Sequence, residues 1–231
     1  DPHKLGYVPY PAGAFLLKER RARELVATDP PYLAPATGLA SAEDLYLGRF
    51  IFEGSKPGAA AAAVWLSHKV LPLNESGYGH LIEQTAAGAR RLYDALSTAE
   101  LAPFRLVLLP EPDINIICYV AHHPALTDLD SVNAFNERIY ASMSLEIPGA
   151  TPEYIISRTR FQTPMYDGAI QPLLNELAVC TEDEWKRAGS DGLVILRSTV
   201  MDPFLTAPPP APDHVAGFVT ALRHACDTAL G

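Results

Sequence analysis

With 231 residues, 48% of them hydrophobic and 19% charged, the chain has globular composition and enough apolar mass to bury a core. A formal net charge of −9 without a long block of like charge disfavours DNA or RNA as a partner. No run of eighteen uncharged apolar residues is present and residues 1–30 lack signal-peptide order, so a cytoplasmic protein without membrane contact is expected.

In chain order, "AGAFLLK" (12–18) follows a Gly/Pro-rich turn and reads as a buried strand, running into a short helix at "ERRARELV". Residues 28–48 carry three prolines and little periodicity, which predicts a long loop of the kind that is usually functional. The alanine-rich run from Pro57 to Val70, with Trp65 and Leu66, reads as a buried helix, Pro57 lying near its first turn. Residues 77–99 place Leu81, Ile82, Ala86, Leu92 and Leu96 at helical spacing. "FRLVLLPEPDINIICYVA" gives two apolar runs around "PEPD", a hairpin-like pair of strands.

"DSVNAFNERIYASMSL" reads as a helix with Asp130 or Ser131 as N-cap. "EYIISRTRF" and "GLVILRSTVM" read as strands, and a closing helix begins near Asp213. Two strands, a helix, two strands and a helix after residue 100 predict a compact α+β domain. Residues 1–56 cannot bury a two-sided sheet alone, so further chain upstream is expected. Cys118, Cys180 and Cys226 lie far apart with no CxxC pair, which points to reduced packing residues and to no metal site.

The segment "DPHKLGYVPYPAGA" pairs a lysine with a histidine ahead of a Gly/Pro/Tyr-rich run. Lysine is a covalent catalyst when its amine meets a carbonyl, although an isolated His-Lys pair is common on surfaces. "FEGSKPGAAAAAVWLSHKVLPLNESGYGHLI", "EYIISRTRF", "TEDEWKRAG" and "LRSTVMDPF" follow in order. Together these blocks resemble the group II pyridoxal-phosphate-dependent amino-acid decarboxylases, above all the bacterial tyrosine decarboxylases, over essentially the whole chain.

The resemblance implies an α/β fold of the fold type I, aspartate-aminotransferase-like class, in a polypeptide about twice this length. Residues 1–73 would close the large cofactor domain, 74–100 would form an interdomain helix and 101–231 a small α+β domain. It implies that Lys4 carries the Schiff base to pyridoxal 5′-phosphate and that His3 lies near the cofactor phosphate. Tyr32 matches a mobile-loop tyrosine thought to protonate Cα after carbon dioxide leaves, which favours amine over aldehyde. A phenol is a weak acid, so such a step demands a closed, water-poor site.

Gly54 and Ser55, in "EGSKPG" before a helix, would meet the phosphate of a neighbouring subunit, hence a homodimer with shared sites; on its own the turn also reads as a plain cap. Tyr10 and Ser157 match substrate-pocket positions, and Tyr10 equally suits a structural tyrosine. The chain departs from the family at Arg158 and Arg160, where histidine and aspartate are usual. Strand alternation sets both opposite Ser157, toward solvent or a subunit contact; turned inward, they would favour an acidic substrate. Arg197 lies in a strand where this fold class often binds a carboxylate.

The expected activity is decarboxylation of an aromatic, tyrosine-like L-amino acid, completed by the N-terminal half of the enzyme. A glutamate or aspartate decarboxylase on the same scaffold is the alternative, as is a non-catalytic split homologue acting as a regulatory subunit.

Overall fold

Leu193 to Leu196 are four consecutive, fully buried apolar residues, which a strand tolerates when both faces of its sheet are covered. They belong to the third-placed strand of a four-stranded antiparallel sheet in a computed structural model that describes residues 1–28, 50–51, 56–188 and 191–231. The strands are β1 (Arg105–Leu108), β2 (Ile116–His122), β3 (Ser157–Phe161) and β4 (Leu193–Thr199), ordered β1-β2-β4-β3. The hairpin expected around "PEPD" forms, with Leu106 opposite Ala121 and Leu108 opposite Tyr119.

The chain divides into two compact units, Asp1–Gly79 and His80–Gly231. Among its described residues the second holds the sheet and five α-helices: α2 (His80–Ser97), α3 (Leu129–Ser142), α4 (Asp167–Leu177), α5 (Glu182–Ala188) and α6 (His214–Leu230). Residues paired across antiparallel strands share a face, so the register sorts the side chains. One face carries Tyr119, Leu196, Ser198, Arg158 and Arg160, and packs on α2 and α3, against which α6 packs in turn. Burial there pushes the Cys226 thiol of α6 up to about 12, and the inert packing role expected of it holds.

The opposite face carries His122, Val120, Cys118, Arg197, Ile195, Leu193, Ser157 and Phe161. Its His122 end is covered by α4: Arg105 donates to the Glu176 carbonyl at 2.9 Å, and Phe161 stacks on Tyr166, the residue capping α4, with ring centroids 4.3 Å apart. Trp185 of α5, almost fully buried, donates to Asp167 at 2.9 Å and so fastens α5 to the start of α4.

Where β2 and β4 diverge beyond the Tyr119–Leu196 pair, α3 inserts two buried amides. Asn136 accepts from the Ala121 N–H at 2.9 Å and donates to the Ala121 carbonyl at 2.9 Å. Asn133 accepts from the Val194 N–H and donates to the Gly192 carbonyl, both at 2.8 Å. Side chains of a helix thus satisfy the backbone groups that the interrupted ladder would have left orphaned.

Several expectations are corrected. Residues 12–18 form no strand: Phe15 and Leu16 are about nine-tenths exposed, and no neighbouring strand is present among the described residues of this unit to pair with them. The short helix after them exists as a 3-10 turn, Arg20–Val26. The alanine-rich helix α1 (Ala59–Val70) forms but is not buried, with Trp65 63% and Leu66 57% exposed. Its apolar residues surround it on all sides, and none of them is buried by the described residues of this unit. The N-cap of α3 is Asp128, two residues earlier than expected; Ser131 closes a reciprocal capping box with it. The helices α4 and α5 were not expected. Most of the loop expected over 28–48 lies outside the described residues.

Candidate active-site residues

In the first unit, residues 1–8 curl back on themselves. The Tyr7 N–H donates to the Lys4 carbonyl at 3.0 Å and the Val8 N–H to the Pro2 carbonyl at 2.9 Å. A glycine is required at position 6, because a Cβ there would stand 2.6 Å from the Pro2 oxygen. The coil buries Val8 and leaves the Lys4 side chain 76% exposed, with its Nζ 3.6 Å from the Asp1 carboxylate. The His3 ring is fixed through Nδ1, 3.2 Å from the Val8 carbonyl oxygen. Tyr10 lies at the unit's surface, 40% exposed. Tyr32, Gly54 and Ser55 lie outside the described residues.

In the second unit, Ser157 opens β3 and stands opposite Arg197, which in turn stands opposite Cys118. The three form one row across the half-exposed end of the sheet face, two rungs and more from the end that α4 covers. The Ser157 hydroxyl donates to the Arg197 carbonyl at 3.3 Å. Burial raises the Cys118 thiol above its ordinary value while the Arg197 guanidinium, which bonds it, opposes the rise. The result is a neutral thiol and no nucleophile. Among the described residues the Arg197 guanidinium bonds the Cys118 thiol and forms no ion pair with a carboxylate.

Arg158 and Arg160 lie on the face opposite Ser157, as strand alternation predicts; Arg160 is exposed and Arg158 half-buried, and both reach acidic partners within the chain. Arg158 Nε is 2.9 Å from Glu137 and its Nη1 3.3 Å from Glu146, while Arg160 Nη2 is 2.8 Å from the other Glu137 oxygen. The Arg158 guanidinium also lies 3.8 Å over the Tyr140 ring, whose hydroxyl donates to Glu146 at 2.8 Å. Both arginines are therefore neutralised within the chain. Sequence alone does not reveal Glu137, Tyr140 or Glu146, because nothing local marks acidic residues of a helix and of the loop after it as partners of a strand 12 to 23 positions later.

Residues 88–229 match the family model described as "Tyrosine decarboxylase, C-terminal". The chain belongs to this family, as its C-terminal part. It is 37% identical to the L-tyrosine decarboxylase of Levilactobacillus brevis over 211 residues, which is 89% of this chain and 33% of that protein. Identity is 35% with the L-tyrosine decarboxylase of Enterococcus faecalis, again over 89% of this chain and 33% of the relative. An L-aspartate decarboxylase of Thermococcus kodakarensis is 29% identical over 52% of this chain and 27% of its own length. The chain thus spans about a third of the length of the curated relatives it matches most strongly.

Proposed function

We propose that this chain is the C-terminal part of a pyridoxal-phosphate-dependent decarboxylase of fold type I, acting on an aromatic L-amino acid of the tyrosine type. The observation that carries the reading is the 37% identity with an L-tyrosine decarboxylase across 89% of the chain. The described residues fit the cofactor chemically: an accessible primary amine on a tight coil is what an aldehyde condenses with, and a fixed imidazole precedes it. When bound, pyridoxal phosphate supplies the electron sink for the pair left behind by departing carbon dioxide.

The protein's own work is to hold, orient and protonate. Lys4 would hold the cofactor through its amine. The His3 ring, with Nδ1 committed to Val8, keeps Nε2 for a phosphate oxygen, and Ser55 and Gly54 would meet that phosphate from a neighbouring subunit. Tyr32 delivers its phenolic proton to Cα, and Tyr10 and Ser157 line the substrate side chain. The site would be completed by parts of the longer relatives that this chain does not span, in a homodimer.

A second reading, decarboxylation of an acidic amino acid, is favoured by one observation: among the described residues the Arg197 guanidinium, in the same row as Ser157, bonds the Cys118 thiol and pairs with no carboxylate. Neutralisation of Arg158 and Arg160 by Glu137 weighs against it. The test uses the assembled enzyme, reduced with borohydride and then mapped by mass spectrometry. A pyridoxyl-phosphate mass on Lys4, carbon dioxide released from L-tyrosine and no turnover in Lys4→Ala support the reading; turnover retained in Lys4→Ala overturns it. Faster release from L-aspartate than from L-tyrosine transfers it to the acidic class.

A further inference from the structure

Ser157 is the first residue of an edge strand, and the strand enters the sheet from a loop of 14 residues, 143–156. The loop is closed at its base by the Ile156 N–H donating to the Met143 carbonyl at 3.0 Å. It exposes Leu145 (65%), Ile147 (48%) and Ile155 (59%). An edge strand has ladder bonds on one side only, so its register is weakly specified by the backbone. A slip of one residue would turn Ser157 away from Arg197 and present Ile156 or Arg158 in its place.

The side chains on the other face of β3 supply what the backbone lacks. Arg158 and Arg160, two residues apart, both reach Glu137, and Tyr140 lies one turn further along the same face of α3. Glu146, inside the loop, accepts from Tyr140 and pairs with Arg158, so one carboxylate ties loop, helix and strand together. A slip of one residue loses these contacts, because it moves both guanidinium groups to the opposite face, and a slip of two leaves one of the two arginines without its place beside Glu137. Resting on the reading that Ser157 contacts substrate, we propose that Arg158 is a positioning residue: with Glu137, Tyr140 and Glu146 it pins the register of β3 so that Ser157 faces the substrate side chain beside Arg197.

The test compares Arg158→Met, which keeps the apolar stem, Glu146→Gln and the conservative Arg158→Lys with Ser157→Ala in the assembled enzyme. Loss of a network of ion pairs and a cation–π contact is expected to speed amide hydrogen exchange over residues 144–157 about tenfold. In the same variants KM for L-tyrosine rises about tenfold while kcat moves less than about twofold, the pattern of lost substrate binding, and Arg158→Lys recovers part of both effects. General destabilisation would lower the active fraction and leave KM alone. Accelerated exchange with an unaltered KM, where Ser157→Ala does raise KM, overturns the positioning role and leaves the substrate role of Ser157 standing. Unaccelerated exchange in Arg158→Met overturns the pinning itself. An unaltered KM in Ser157→Ala removes Ser157 from the substrate site, and the positioning role with it.

Discussion

Asn136 shows how much a single amide can hold. Completely buried, it satisfies both backbone groups of Ala121 and also donates to the Val132 carbonyl at 2.9 Å. Replacement by alanine leaves the Ala121 N–H and carbonyl without partners, and a buried orphan costs roughly 1–3 kcal/mol. Asn136→Ala should therefore lose about 2–4 kcal/mol in urea unfolding, with an unchanged slope. A loss under about 1 kcal/mol would mean that the ladder recloses without the amide. His122, on the other sheet face, carries a second residue-scale prediction. Burial and the neighbouring Arg105 lower its pKa below the ordinary 6.5, so the unfolded chain takes up the proton first. Its contribution to stability is complete above pH 6.5 and is lost as the pH falls below that value toward the native pKa. Melting temperatures at pH 7 and pH 5 should differ less in His122→Gln than in the parent chain; an equal difference would show that His122 binds its proton alike in the folded and unfolded states.

At the scale of elements, legibility followed how local the determining signal was. The strands β1, β2 and β4 and the closing helix were readable because apolar runs and the Asp213 cap lie within the segments themselves; Asp213 accepts from the Val215 and Ala216 N–H groups at 3.1 Å. The helix α4 was hidden by Pro172, which removes a donor from its interior and is outweighed by burial of Ile170, Leu173, Leu174 and Leu177. A signal for α5 did exist: Thr181 and Glu184 form a capping box, with Thr181 N–H to Glu184 at 2.7 Å and Glu184 N–H to Thr181 at 3.2 Å. The predicted strand at 12–18 failed for the opposite reason, since apolar composition calls for burial without naming the surface that provides it. Of the candidate site, the Ser157–Arg197 row was half legible, as both residues were singled out but their pairing is a matter of register between strands 40 residues apart. The cap of α3 offers a test at this scale. Hydrogen bonds from Ser131 hold the Asp128 carboxyl below its ordinary 3.8, so the cap is fully effective above that pH and is lost as acid protonates it. Asp128→Asn should keep most of the cap and flatten the pH dependence of stability below about pH 4; a profile identical to the parent's would exclude Asp128 as its source.

The whole molecule presents two tryptophans in opposite states: Trp65, on the unburied helix α1, is 63% exposed, and Trp185, in the second unit, is 1% exposed. Acrylamide should quench the fluorescence of the isolated chain in two phases, and the accessible phase should vanish in Trp65→Phe. If α1 is covered in the assembled enzyme, that phase also disappears on assembly with a blue shift of emission; a persistent accessible phase would leave α1 outside the interface. The sheet itself sets a limit on how subunits combine. Its outer strands are short, four and five residues, and each bears arginine, Arg105 on one side and Arg158 and Arg160 on the other. Short, charged borders resist annexation by a neighbouring strand. Any contact between copies of this unit would therefore run through helices and loops, and the hydrogen-bonded ribbon would remain a private possession of four strands.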